Sequence, residues 1–391
     1  MTLSSPALPA PLALAPRHAR LAISAVFFIN GLSFASWVPH IPTVQARLGL
    51  STSLLGLALL GVALGALVAM PLTGMLVARW GSRAVTLVSS LLFCPLVALP
   101  VRAPSLPLLL VALVCFGAAY GAMDVAMNAH AVTVERKLGK TVMSSFHALY
   151  SLGGLAGAGS SILLLSGGLT PSSHMLGVSV LGLAVLLAAS RFLLPASADA
   201  GGHAHAFAFP RGPLLFMGLL TFLVLMVEGA MADWSAVYLR QSLGTAAGQA
   251  GAGFAVFSLA MTTGRLTGDR LVNAFGPQRL LHVGALLAAG GLGVALVLHH
   301  PVAALIGFGC VGLGLSNLIP VLFSAAGRVP GVPSGVGIAA VSTLGYGGFL
   351  VGPPLIGLVA EPVGLPAALG LLVAFLVLVA ASGSRVRGLQ A

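Results

Sequence analysis

The stretch CFGAAYGAMDVAMNAHAVTVER at residues 115–136 aligns without gaps with GFGCVGLGLSNLIPVLFSAAGR at residues 307–328. The two stretches share a Phe-Gly pair near the start and an arginine at the end. A second match joins LVARWG at residues 76–81 with LVNAFG at residues 271–276, at almost the same spacing along the chain. Two matches at nearly one spacing indicate that the chain consists of two similar halves.

The composition places this duplicated chain in a membrane. Hydrophobic residues make up 58% of the 391 residues and charged residues only 6%, with a mean hydropathy of +1.07. A hydrocarbon core about 30 Å thick needs roughly 20 mostly apolar residues per spanning helix. The apolar runs predict an all-α membrane protein with twelve transmembrane helices in two pseudo-symmetric six-helix halves.

The breaks between apolar runs define the organisation along the chain. A polar stretch rich in Gly and His separates the sixth and seventh spans and is interpreted as a linker. The predicted segments are a disordered tail at 1–19, an N-terminal half at 20–194, a linker at 195–212, a C-terminal half at 213–382 and a tail at 383–391.

The charge distribution predicts the topology. A net charge of +11 is compatible with nucleic-acid binding, but the basic residues lie in the connectors between spans. With a cytoplasmic N-terminus, every Lys and Arg except Arg47, Arg102 and Arg240 falls on the inner side. Arg265 is counted with the inner side because the eighth span is placed at 251–267 and Arg265 lies at its end. This satisfies the positive-inside rule. The sequence therefore predicts an inner-membrane protein with both termini in the cytoplasm and no nucleic-acid partner.

The segment GMLVARWGSR at residues 74–83 resembles the loop pattern G-x-x-x-D-R-x-G-x-R of the major facilitator superfamily, with Ala78 in place of the acid. The second copy, GDRLVNAFG at residues 268–276, keeps the acid. The resemblance covers the chain from Arg20 onward and implies a loop that latches neighbouring helices on the inner face. It assigns this gating role to Gly74, Arg79, Gly81, Arg83, Asp269 and Arg270.

Four further segments resemble the branch of that superfamily that includes fucose:proton symporters. They are GAMDVAMN at 121–128, MSSFHALYSLGG at 143–154, EGAMADW at 228–234 and GYGGFLVGPP at 345–354. In that branch an acid after a glycine in the fourth span is implicated in proton coupling. The resemblance extends this role to Asp124.

Two of the seven acidic residues, Asp124 and Glu228, fall well inside predicted spans, where an ionised carboxylate costs several kcal/mol. No Lys or Arg is predicted in the middle of any span, so neither acid is expected to have a counter-ion. Both are candidate proton carriers, and Asp233 beside Trp234 is a third. The alternative role of Asp124 and Glu228 is that of a protonated acid that donates a structural hydrogen bond between helices. The alternative for Asp233 is a position at the outer end of its span, where it faces interfacial water.

Helical spacing predicts which groups share the central cavity. Gly117, Gly121, Asp124 and Asn128 lie on one face of the fourth span. The residues predicted to bind the solute are Asn30, Asn128, His147, Tyr150 and Asn317. The alternative role of the three asparagines is hydrogen bonding between helices, and the alternative for His147 is a position in the core.

These features predict a secondary active transporter that moves a small neutral or weakly polar solute, such as a sugar, together with protons by alternating access. We expect a monomer that needs no metal or cofactor. A multiply anionic solute is disfavoured because no cation is predicted at mid-membrane. The alternatives are a proton-driven exporter of hydrophobic compounds and a non-transporting receptor on the same fold. An enzyme is disfavoured, since the sequence has no nucleophile–base pair, P-loop or HExxH motif.

Overall fold

The computed structural model describes residues 15–139, 142–198, 211–326, 329–330, 332 and 334–383. Most of the predicted linker and of the two predicted tails lies outside these residues. The first helix already begins at Ala15, within the segment predicted as a tail.

The N-terminal half contains six membrane-spanning helical runs. The first consists of α1, a short 3₁₀ turn at Val38–His40 and α2, which follow one another without an intervening loop. The helices of this half are α1 (Ala15–Trp37), α2 (Ile41–Leu48), α3 (Thr52–Trp80), α4 (Ser82–Leu96), α5 (Leu106–Leu138), α6 (Met143–Ser166) and α7 (Pro171–Ser190).

The C-terminal half repeats this arrangement, with its fourth run broken into two helices around Ser316 and Asn317. The helices of this half are α8 (Pro213–Val237), α9 (Ala252–Phe275), α10 (Pro277–Leu298), α11 (Pro301–Leu315), α12 (Leu318–Ala326), α13 (Ser334–Val363) and α14 (Leu365–Ser382).

Eleven of the described helical runs are long and apolar enough to cross a membrane. The twelfth run is α9, whose second half contains Arg265, Asp269 and Arg270. These charged residues lower its hydropathy, although its 24 residues give it the length of a span. The twelve predicted spans are thus present as helices in two halves, and the fold prediction is confirmed.

The matched glycines of the two halves have the same backbone conformation. Gly81 follows α3 with φ 82° and ψ 156°, and Gly276 follows α9 with φ 78° and ψ 153°. A positive φ of this size is accessible to glycine and strained for residues with a side chain. The duplication seen in the sequence is therefore present in the backbone of the structure.

The two halves meet at the end of the bundle that carries the segments 38–51 and 238–251. We call it the outer end, after the predicted topology. There Gln241 Nε2 donates a hydrogen bond to Gln45 Oε1 at 2.7 Å, and the backbone N–H of Ser53 donates to Glu361 Oε2 at 3.0 Å. Gly251 lies against Pro39 and Ser161 so closely that a side chain there would collide with both. The contacts formed by Gln45, Gln241, Ser53, Glu361, Gly251 and Pro39 are called the outer seal below.

Candidate functional site

The first part of the site is a row of polar side chains on α5. Tyr120, Asp124 and Asn128 recur every four residues, so they lie on one face of the helix. Asn128 Nδ2 donates to Asp124 Oδ1 at 3.2 Å and to the Asp124 carbonyl at 2.8 Å. Asp124 is half-buried as a residue, and its carboxyl group has a hydrogen-bond donor in the Asn128 side chain.

The second carboxyl group forms an ion pair. Arg265 Nη2 on α9 lies 3.4 Å from Glu228 Oε1 on α8, with side-chain exposures of 34% and 23%. This corrects the expectation that Glu228 has no counter-ion. The sequence interpretation ended the eighth span at 267, but α9 continues to Phe275. Arg265 is therefore ten residues, or about 15 Å, from the helix end.

Tyrosines from both halves lie close enough to the two carboxyl groups to interact with them electrostatically. The hydroxyl groups of Tyr120 and Tyr150 lie 2.8 Å apart and join α5 to α6. Tyr150 is also close enough to interact electrostatically with Asp124, Glu228 and Arg265. One tyrosine therefore lies near all three charged groups.

Two further side chains complete this arrangement. Tyr346 on α13 is 50% exposed and interacts electrostatically with both carboxyl groups. His147 on α6 is exposed, interacts with Arg265 and contacts the ring of Phe27 edge-on at 5.3 Å. We define the central cluster as Tyr120, Asp124, Asn128, His147 and Tyr150 of the N-terminal half with Glu228, Arg265 and Tyr346 of the C-terminal half.

Three of the residues predicted to bind the solute or protons lie outside the central cluster. Asn30 is fully buried, and neither of its side-chain atoms has a hydrogen-bond partner among the described residues. Asn317 Nδ2 donates to the carbonyl of Gly264 at 3.0 Å and so joins α9 to the broken fourth run. Asp233 follows Glu228 by five residues, which turns it about 140° around α8. The predicted roles of these residues in solute and proton binding gain no support from their positions.

The predicted gating loop contains a contact between helices. Arg83 Nη2 at the start of α4 donates to the carbonyl of Ser190 at the end of α7, at 3.2 Å. Arg79 lies over the ring of Trp80, with its guanidinium carbon 5.9 Å from the ring centre. Gly74 has open space beside it. The Asp269 side chain lies outside the described set, and Arg270 is exposed.

The sequence interpretation missed three members of the central cluster. Tyr120 was detectable, because it stands four residues before Asp124 on the same helix face. Tyr346 lies in the GYGG segment at residues 345–348, where the glycines attracted attention instead. Arg265 was assigned to a connector. Among the described residues, no three His, Cys, Asp or Glu side chains come together as metal ligands.

Two membrane proteins resemble the chain over most of its length. An uncharacterized MFS-type transporter of Yersinia pestis is 44% identical over 363 residues, covering 92% of this chain and 94% of that protein. The membrane protein MosC of Rhizobium meliloti is 38% identical over 368 residues, covering 92% of this chain and 89% of that protein.

Solved structures show the same fold at low sequence identity. The nucleoside transporter NupG superimposes with a TM-score of 0.73 at 13% identity, covering 94% of this chain and 98% of that chain. A bacterial homolog of the human lysosomal transporter Spinster, in an inward-facing and occupied conformation, gives 0.69 at 16% identity, covering 95% and 97%. The model of the Major Facilitator Superfamily matches residues 23–331, and the chain belongs to this family of membrane transporters.

Proposed function

We propose that this protein is a proton-coupled transporter that moves a small neutral or weakly polar solute through the space between its halves. The observation that carries the proposal is the central cluster, in which the Glu228–Arg265 pair of one half and Asp124 of the other half both interact electrostatically with Tyr150. In this proposal Asp124 and Glu228 carry the protons. Both termini lie in the cytoplasm, and the membrane is the inner membrane.

The charges of the cluster favour proton binding. With Asp124 and Glu228 ionised and Arg265 protonated, the three groups sum to one negative charge. Uptake of one proton makes the cluster neutral, so a proton can enter with a neutral solute at little electrostatic cost.

The same balance argues against an anionic solute. The sequence disfavoured multiply anionic solutes because it predicted no cation at mid-membrane, and Arg265 removes that reason. However, Arg265 is already paired with Glu228 at 3.4 Å. An anionic solute would have to compete with the Glu228 carboxylate for Arg265 and would face the Asp124 carboxylate as well. Anionic solutes are therefore still disfavoured, because of these two carboxylates and not because a cation is lacking.

The side chains around the charges suit a polar solute. Tyr120, Tyr150 and Tyr346 supply hydroxyl groups, and Asn128 supplies an amide. This set favours a hydroxyl-bearing solute over the hydrophobic compounds of the rival exporter hypothesis. NupG, which shares the fold, is named as a transporter of nucleosides, which are also small polar solutes.

Proton transfer at Glu228 provides a way to couple binding to alternating access. Protonation of Glu228 removes the negative charge that attracts the Arg265 side chain to Glu228, within the C-terminal half. Arg265 can then interact with Asp124, which belongs to the other half. Proton binding thereby changes the attraction between the halves, as a rocking transporter requires.

The test measures solute uptake by the purified protein in liposomes, with a panel of labelled neutral solutes and an imposed pH gradient. We expect Asp124→Asn and Glu228→Gln each to abolish gradient-driven uptake. Asp233→Asn is the matched control, because it also removes a carboxyl group from α8 but lies outside the cluster. We expect it to retain uptake.

Two results would contradict the proposal. Undiminished gradient-driven uptake in both cluster variants would show that neither carboxyl group carries the coupled proton. No gradient-dependent flux for any solute, together with dye extrusion by intact cells, would support the exporter of hydrophobic compounds instead.

A further inference from the structure

A chain of hydrogen bonds lies at the outer end, remote from the central cluster. His40 Nε2 and His174 Nδ1 are 2.9 Å apart, and His174 Nε2 is 2.9 Å from Ser160 Oγ. Ser160 Oγ in turn donates to the carbonyl of Gly157 at 2.8 Å. His40 and His174 are 0% and 2% exposed. The sequence interpretation gave neither histidine a role.

The direction of these hydrogen bonds follows from their end point. The Ser160 hydroxyl hydrogen is used by the Gly157 carbonyl, so Ser160 Oγ accepts from His174 Nε2. In a neutral His174, Nδ1 is then the acceptor and receives the hydrogen of His40 Nε2. The hydrogen-bond network therefore places the ring hydrogen on Nε2 in both histidines. The lone pair of His40 Nδ1 remains, and this buried atom has no hydrogen-bond partner among the described residues.

The open nitrogen lies next to the outer seal. His40 follows Pro39, which contacts Gly251 of the other half, and Ser160 precedes Ser161, which contacts the same glycine. The 3₁₀ turn that carries His40 also packs against α8. Separation of the halves at this end would therefore uncover the turn and admit water to His40 Nδ1.

We propose that His40 Nδ1 is a second proton-binding site, which binds a proton when the outer seal is open and must be vacant for the seal to close. In the closed state a new N–H at this atom would be buried without an acceptor, which is unfavourable for any donor and more so for a charged one. In the open state water would accept from it. Protonation from the outer side therefore favours the open seal.

Other titratable groups stand on the elements packed against the two histidines. No hydrogen bond joins any of them to His40 or His174 among the described residues, and Arg47 donates to the carbonyl of Ala103 at 2.8 Å. These groups are Arg17, His18 and Arg20 of α1, Arg47 of α2, Arg83 and Cys94 of α4, His147 and Tyr150 of α6, Glu228 and Asp233 of α8, and Arg102 of the short helix Pro100–Arg102.

The test measures the width of the outer end directly. Spin labels at A46C and A247C, both at exposed positions on opposite halves, are introduced after the three native cysteines are replaced by serine. Pulsed electron paramagnetic resonance then gives the distance distribution in nanodiscs at pH 7.5 and pH 5.5. If His40 binds a proton tenfold more tightly with the outer seal open than with it closed, acidification would change the ratio of open to closed molecules by up to about tenfold.

Two substitutions separate His40 from its neighbours. His40→Gln keeps an N–H donor near the Nε2 position but cannot bind a proton, and we expect it to lose most of the acid-induced widening. His174→Asn keeps an acceptor oxygen near the Nδ1 position, and we expect it to retain the widening. If His40→Gln does not fold, His40→Asn takes its place.

The proposal is overturned if acid leaves the parent distance unchanged, or if the His40 variant widens as much as the parent. Loss of the response in His174→Asn alone would overturn the assignment of Nδ1 as the open atom. None of these readouts involves transport, so their outcome is independent of the proposed roles of Asp124 and Glu228.

Discussion

At the scale of single residues, the pair of Glu228 and Arg265 changes how the site is understood. An unpaired carboxyl group in a membrane helix is costly in its ionised form, whereas a paired one can remain ionised. With exposed side-chain fractions of 23% and 34%, the pair is only partly buried. Its net contribution to stability is therefore expected to be small.

Removal of one partner should cost more than removal of both. Arg265→Gln leaves the Glu228 carboxylate without its cation, and we expect the melting temperature to fall by a few degrees. In the double variant with Glu228→Gln, two neutral amides face each other, and we expect most of that loss to be recovered. A double-mutant cycle measured by thermal unfolding in detergent tests this coupling.

Additive effects of the two substitutions would contradict a direct interaction between the side chains. Uptake provides a second readout, because the double variant should remain inactive even when its stability is restored. Loss of function would then be separated from loss of folding.

Residue chemistry could be predicted where a rare residue type stands in an apolar run. Asp124 and Glu228 were found this way, since few acids occur in the chain. Arg265 was missed because a cluster of charges at residues 265–270 looks like the end of a span. Asn30 was assigned to the site from spacing along one helix, which does not tell which neighbour its face contacts, and the structure buries it outside the central cluster. Ser33, one turn further along that face, lies near Gly182 of α7.

At the scale of helices, glycines set the distance between α3 and α5. A side chain at Gly65 would collide with the carbonyl of Val114 and approach the amide of Ala118, whereas Gly74 on the same helix has nothing within contact distance. Gly65 is therefore closely packed against α5, whereas Gly74 of the same helix has open space beside it. Small residues at such crossings let helix backbones approach closely in membranes.

The two glycines should respond differently to alanine. Gly65→Ala forces α3 and α5 apart, and we expect it to lower the free energy of unfolding by about 1–3 kcal/mol. Gly74→Ala meets no neighbour and gains helix propensity, so we expect no loss and up to about 1 kcal/mol of stabilisation. Melting temperatures of the purified variants in detergent check both predictions.

Equal destabilisation by the two substitutions would mean that backbone flexibility, and not close packing, explains the glycines of α3. A normal melting temperature with reduced uptake in Gly74→Ala would support the gating role that the resemblance assigned to this residue.

At the scale of the whole molecule, the apolar runs and the duplication were sufficient to predict two six-helix halves. Long apolar runs determine the helices, and the repeat determines how each group of six is related to the other. Which end is closed could not be predicted, because it depends on contacts between halves that are distant in the sequence. Gln45 and Gln241 are an example, since neither residue is conspicuous in the sequence.

The outer seal should open and close during transport, because a solute that enters from the outer side must pass it. A short thiol-reactive cross-linker between Q45C and Q241C, whose native amide groups lie 2.7 Å apart, would hold the seal closed. We expect uptake into liposomes to fall more than tenfold after cross-linking and to recover after reduction of a cleavable linker. Each single-cysteine variant, treated in the same way, is the control, since it receives the reagent without a bridge. Full uptake by the cross-linked protein would mean that the halves do not separate at this end, and transport by rocking of the two halves would have to be abandoned.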